Sequence, residues 1–404
     1  MSKKIFLSAV FITLLLSIVL SGISFAQTED PQDDNPQSIP NGPWIQDDQE
    51  VKYERLMSNE ELYKNLFQIE AHSKGRMVVE LAGYSGDGWP IYVTKFGEAD
   101  SGKTRILIES QIHGGEPLGT EAVVFLMQQL ATSGNPDILN ILDKLTIWII
   151  PRLNPDGGAH EVNGELRPRR HNHQTWTPEE WGIPSDSPAP WYYRSRITPP
   201  GYDINRDFSP DLDFVLGPAT ADLLPGRSSD PGFFVTSEAR AVRDVYKELL
   251  PDVFIDLHHR GSNTVSETDN SLCTLQVIAQ VTAGTSEYPL DPAVLALSKQ
   301  INAYVYQILN EKGESPFGSI TRYPDVELPG TALGSFTLNG SAIMLYEVRS
   351  VAQKSNGMLI KQSVEGLMET FKGLADGSVY EVDPDLYDQI PPAGPRISNP
   401  HDDF

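Results

Sequence analysis

The chain has 404 residues, 39% of them apolar, and a formal net charge of −24. So acidic a surface argues against nucleic acid or an anionic membrane as partner. Cys273 is the one cysteine, which excludes an internal disulfide, so stability must come from an apolar core that roughly 320 folded residues can supply.

In chain order, Lys3 and Lys4 lead into an apolar stretch from Ile5 to Leu20, closed by Ser24-Phe25-Ala26. This is the layout of a secretory signal over residues 1–26, cleaved near Ala26, and it predicts an exported protein, secreted or periplasmic. The stretch is short for a membrane span, so no membrane association is expected after cleavage. Residues 27–50, rich in Asp, Gln, Asn and Pro without periodicity, read as a disordered acidic linker. A folded domain is expected over 51–375, followed by an acidic, proline-containing tail over 376–404. Within the domain, Asn59–His72 predicts a helix, and "MVVELAGYSGDGWPIYVTKFG" a hairpin turning around Ser85–Gly88. Four short β-branched runs, Arg105–Glu109, Leu145–Ile150, Val253–Leu257 and Ala342–Tyr346, read as strands buried on both faces. Further helices are expected over Leu118–Thr132, opening after Pro117, and over Ser237–Leu250, Pro292–Lys312 and Met358–Leu374. The alternation predicts an α/β fold, a single domain with a twisted, mixed, largely parallel sheet flanked by helices on both faces.

Ligands of such sheets bind beyond the carboxyl ends of the strands. "ESQIHGGEPLG" follows the first run and brings His113 and Glu116; "PRLNPDGG" follows the second. "DLHHRG" closes the third with His258, and "YEVRS" closes the fourth with Glu347. Two imidazoles and a carboxylate, with a fourth position left to water, are the donor set of catalytic zinc. HxxE alone reads as a polar loop; His258 at a neighbouring strand end brings the metal reading level with it. "GYDINRDF" and "LRPRRHN" concentrate Arg206, Arg167, Arg169 and Arg170. By composition they are a surface cluster paired with acids; as a clamp they would hold an anion bidentately. His259 should face away from His258 along an extended strand, while Asp256 shares its face and could orient a ligand. Asp156 reads as a turn former and Cys273 as a buried or loop thiol.

"GYSGDGWPIYVTKFG", "HGGEP", "NPDG", "GYDINRDF", "DLHHRG" and "YEVRS", in that order, resemble the landmarks of the zinc carboxypeptidase family typified by carboxypeptidase A, over about Glu54 to Leu374. The resemblance implies a metallocarboxypeptidase with one Zn2+ ion on His113, Glu116 and His258, acting on peptide or protein C-termini with a free carboxylate. It implies that Glu347 is the general base and that Asn205 and Arg206 grip the terminal carboxylate. An arginine should stabilise the oxyanion, with Arg170 of "RHN" the best match and Arg169 next. The family's mobile tyrosine matches Tyr323 only with a small displacement, and a structural tyrosine is the competing reading. The side-chain pocket position falls near Ala332, small and neutral, so apolar or aromatic C-terminal residues are expected over lysine, unless the nearby Asp325 and Glu327 point inward. The loop "QTWTPEEWGIPSDSPAPWYYRSR" is expected to rim the cleft. Two other functions stay open: a zinc peptidase trimming cell-wall peptides or an amide deacylase of related fold, and a non-catalytic binding protein.

Overall fold

The computed structural model describes residues 56–396 except 261–262, 270, 272, 283, 285–286, 312–319, 325 and 350–355. The expected signal, the linker and the last part of the expected tail lie outside these residues. Eight strands form one sheet: β1 (Val78–Tyr84), β2 (Pro90–Phe96), β3 (Thr104–Ser110), β4 (Leu145–Ile150), β5 (Val253–Arg260), β6 (Leu275–Ile278), β7 (Ile320–Arg322) and β8 (Ala342–Arg349). Their spatial order is β1-β2-β4-β3-β5-β8-β6-β7. The central β4-β3-β5-β8 strands run parallel, and β2 and β6 pair antiparallel with their outer members.

The α-helices longer than one turn among the described residues are α1 (Asn59–His72), α2 (Leu118–Thr132), α3 (Pro136–Lys144), α4 (Ser237–Leu249), α5 (Pro292–Glu311), α6 (Ala332–Leu338) and α7 (Asn356–Asp376). They divide between the two faces because the strands are apolar on both. In β8, Met344, Tyr346 and Val348 join the core under α1, α2, α3, α5 and α7, whereas Ile343 and Leu345 join the core under α4 and α6. In β5, Val253, Ile255 and Leu257 take the first side and Phe254 the second. Parallel strands need crossovers, and helices on both faces supply them while burying both sets of side chains. The fold is the expected one: a single α/β domain with a mixed, mostly parallel sheet.

The acidic segment after α7 differs from the expected tail. Val379, Tyr387 and Ile390 are buried in the first-face core, and the side chain of Gln300 on α5 donates to the carbonyls of Tyr380 and Val382. Pro391 accepts the Arg322 N–H of β7 at 2.7 Å. Three well-spaced apolar anchors are enough to strap an acid-rich stretch across α5 and the sheet edge.

Candidate active site

The loop after β3 turns at Gln111, whose φ of +55° lies in the left-handed region that non-glycine residues enter only when their surroundings hold them there. Its side chain does the holding: Nε2 donates to the Gly114 carbonyl at 2.8 Å, and Oε1 accepts from Thr120 Oγ1 at 2.6 Å and Arg152 Nε at 2.8 Å. Gly114 is required by close approach, since a Cβ there would stand 2.2 Å from the Gly157 carbonyl carbon. Pro117 gives α2 no side-chain cap; Nε2 of His259 accepts the Leu118 N–H instead, at 3.0 Å.

His113 and Glu116 thereby meet His258 of β5. His113 Nδ1 lies 2.8 Å from Glu116 Oε1, and His258 Nδ1 lies 3.0 Å from Glu116 Oε2 and 3.2 Å from His113 Nδ1. Each imidazole turns its far nitrogen to a carboxylate: His258 Nε2 is 2.7 Å from Asp256 Oδ2, and His113 Nε2 is 3.5 Å from Asp203 Oδ1. With each ring's proton on Nε2, toward these acids, the Nδ1 lone pairs would face each other and Glu116, where a bound cation would take the place of the proton that His258 otherwise holds. Tetrahedral zinc at about 2.0–2.1 Å from each nitrogen spaces its donors roughly 3.3 Å apart, and the two Nδ1 atoms are 3.2 Å apart. Among the described residues this is the metal-donor cluster the structure offers. Burial opposes charge on His258, but Asp256 and Glu116 outweigh it and raise its pKa well above the ordinary value. Burial likewise opposes charge on Glu116, yet His113 and His258 hold its pKa well below the ordinary value. His259 is pushed down to about 4, chiefly by burial, and stays neutral to accept its hydrogen bond.

The parallel register sets Glu347 of β8 beside His258 of β5. Arg170 donates from Nε to Asp203 Oδ2 at 2.8 Å, and its Nη1 is 3.3 Å from His113 Nδ1. Burial works against its charge, but Asp203, Glu116 and Glu347 raise its pKa above the usual guanidinium value. Asn205 Oδ1 accepts the Ala332 N–H at 3.0 Å, and Arg206 Nη1 donates to the Asn205 carbonyl at 2.5 Å. One cavity of about 160 Å³ is lined by His113, Glu116, His258, Glu347, Arg170, Asn205, Arg206 and Tyr323. Its remaining wall is mostly apolar: Ile278, Val281, Val326, Leu328, Leu333 and Leu345, with His259 and Thr331.

A family model described as zinc carboxypeptidase matches residues 62–309, more than half of the chain. The chain belongs to the zinc carboxypeptidase family. Zinc is that family's metal, and the donor set fits it. Residues 31% identical over 116 positions relate the chain to a zinc carboxypeptidase of Saccharothrix mutabilis subsp. capreolus, covering 28% of this chain and 26% of that protein. Carboxypeptidase E of Caenorhabditis elegans is 30% identical over 141 residues, 33% of this chain and 25% of that one. The match thus spans about a quarter of the length of these curated relatives. Among solved structures, carboxypeptidase A from Helicoverpa armigera shares the fold with a TM-score of 0.57 at 18% identity, over 81% of this chain and 75% of that one. Bovine thrombin-activatable fibrinolysis inhibitor, solved with a tick carboxypeptidase inhibitor, gives 0.56 at 15% identity, over 82% and 99%.

In this zinc carboxypeptidase domain several residues stand elsewhere than expected. Arg169, the alternative to Arg170, spends its donors on the carbonyls of Pro199, Asn172 and His171 and does not line the cavity. Ala332 begins α6 and is buried in the second-face core, so Thr331 and Leu333 line the cavity in its place. Glu327 is not in the wall, and Asp325 lies outside the described residues. The aromatic loop builds a core of its own, where Trp176, Trp181, Trp191, Tyr192 and Tyr193 pack with Tyr202 and Phe233; none of residues 171–200 lines the cavity. Asn154, not Asp156, caps the "NPDG" turn by accepting the Gly157 N–H; Asp156 accepts from Ser85 Oγ and the Asp87 N–H and ties the turn to the β1–β2 hairpin. Cys273 is buried, its Sγ accepting from Gln276 Nε2 at 3.3 Å. Asp203, in "GYDINRDF" two residues before Asn205, bridges His113 and Arg170, a role that nothing in the local sequence announces.

Proposed function

We propose that this chain is an exported zinc-dependent carboxypeptidase that hydrolyses the C-terminal bond of peptides bearing a free carboxylate. The observation that carries the reading is convergence: a three-donor metal set, an acid and two arginines from separate stretches line one cavity. His113, Glu116 and His258 would hold the zinc, which when bound would supply a Lewis acid and make a water more acidic. Glu347, next to His258 in the register, takes the proton of the attacking water and returns it to the leaving amine. Arg170, charged against Asp203, donates to the oxyanion that grows on the scissile carbonyl. Arg206, with Asn205 beside it, holds the terminal carboxylate with its fork of donors. The apolar wall receives the C-terminal side chain, with Tyr323 at its border. Its described aliphatic residues offer lysine no partner, which favours apolar ends.

The test is turnover of N-blocked peptides ending in leucine, phenylalanine or lysine, before and after chelation, with metal analysis. We expect one zinc per chain, loss of activity on chelation, return with zinc, and faster release of leucine or phenylalanine. Glu347→Gln should keep its zinc and lose about 10²–10⁴ in rate. Chelator-resistant hydrolysis, or full activity in that variant, refutes the mechanism. Export is supported by the Lys3 to Ala26 pattern, and sequencing the N-terminus of protein recovered outside the cytoplasm should begin at Gln27.

A further inference from the structure

We propose that Arg152, acting through Gln111, is a positioning residue for the metal loop and ties its geometry to the start of α1. Arg152 is buried, and among the described residues its hydrogen bonds go to neutral groups: Nε to Gln111 Oε1 at 2.8 Å, Nη1 to Asn59 Oδ1 at 2.7 Å and Nη2 to the Met57 carbonyl at 2.7 Å. Among the described residues no carboxylate pairs with it directly; Glu121, Glu60 and Glu61 favour its charge only from further off and burial outweighs them, so an apolar side chain of similar volume would fill the space at less cost. What the arginine gains is three fixed bonds in a rigid fork.

The strand side of those bonds is Gln111, held at φ +55°. Its amide braces both sides of the ligand pair, reaching Gly114 between His113 and Glu116, and Thr120 just beyond Glu116. The other side is the chain entering α1. There the Met57 N–H donates to Glu121 Oε1 on α2 at 2.7 Å, and Asn59 Nδ2 donates to the Pro155 carbonyl at 3.2 Å. The contacts close a ring: Met57, Arg152, Gln111, Thr120 and, along α2, Glu121 back to Met57. The two ligands of the loop therefore sit on a backbone whose left-handed corner Arg152 keeps in place.

The inference rests on the zinc reading, and the experiment separates the two. Zinc affinity is measured by competition with a chromophoric chelator in the wild type, Gln111→Gly, Arg152→Met and Arg152→Lys, alongside the visible spectrum of each Co2+-loaded protein. Glycine takes positive φ without strain, so Gln111→Gly removes the brace without forcing the backbone. Far-UV circular dichroism of the metal-free proteins reports the fold. We expect affinity about 10–100-fold weaker in Gln111→Gly and Arg152→Met, with altered Co2+ spectra. Arg152→Lys should not rescue, because one ammonium cannot span three acceptors. Folded variants that bind zinc within about twofold of wild type, with superposable spectra, overturn the inference and leave the zinc reading intact. If Arg152→Met does not fold, Gln111→Gly decides alone. A wild type that binds no zinc removes both.

Discussion

Arg170 and Arg152 stand near the same metal loop under opposite conditions. Arg170 faces a carboxylate, Asp203, and its charge is reinforced by the acids around the cavity it lines. Arg152 faces an amide, another amide and a carbonyl, and burial brings its pKa down to about 10. The first is charged and open to reactants; the second is charged and enclosed. The partners around each guanidinium, more than its nearness to the metal loop, separate the chemical role proposed for Arg170 from the positioning role proposed for Arg152.

The largest effect is expected from Arg170→Met. Losing the proposed oxyanion donor should lower kcat by about 10²–10³ with zinc retained, read by steady-state kinetics and metal analysis. If zinc departs instead, Arg170 belongs with Arg152. Asp203→Asn removes the counter-ion and the carboxylate facing His113 together, so zinc affinity and kcat should both fall, zinc affinity by about 10–100-fold in chelator competition. An unchanged affinity would mean that the 3.5 Å separation from His113 is too long to matter. The smallest effect concerns a buried acid with no cation against it among the described residues. Glu238, at the start of α4, accepts from Asn172 Nδ2 at 2.9 Å, and burial with Asp156 nearby pushes its pKa up from 4.5 to about 8. Folded protein then holds a proton that unfolded protein has released, so stability falls as pH rises between 4.5 and about 8, by at most about 1.4 kcal/mol per unit. Glu238→Gln should flatten that slope in melting curves taken across the window; an identical slope would show that Glu238 is ionised in the fold.

Much of this architecture was legible because the central strands are buried on both faces. Such strands have to be written as unbroken apolar runs, and a polar residue at the end of one, such as His258 or Glu347, stands out. The short β6 and β7 carry too few residues for a period to show, and α6, with Gly334, Ser335 and Thr337 inside it, lacks a strong helical stripe. The strap after α7 rests on Val379, Tyr387 and Ile390 among acids, a pattern that composition alone reads as solvent-facing. The polar networks were invisible for another reason. Arg152 meets Asn59 across 93 residues and Gln111 across 41, and nothing local in "PRLNPDGG" announces either partner.

The neighbours His258 and His259 divide their work across the sheet, one turned to the metal site and the other to the first amide of α2. The second task needs a bare nitrogen. With a folded pKa near 4 against an ordinary 6.5, His259 contributes its full share of stability above 6.5, and that share drains away as acid approaches 4. The helix that loses its cap begins two residues past Glu116. Acidification thus loosens the scaffold on which Glu116 is mounted, so a histidine outside the proposed ligand set gives this corner of the fold a sour limit of its own.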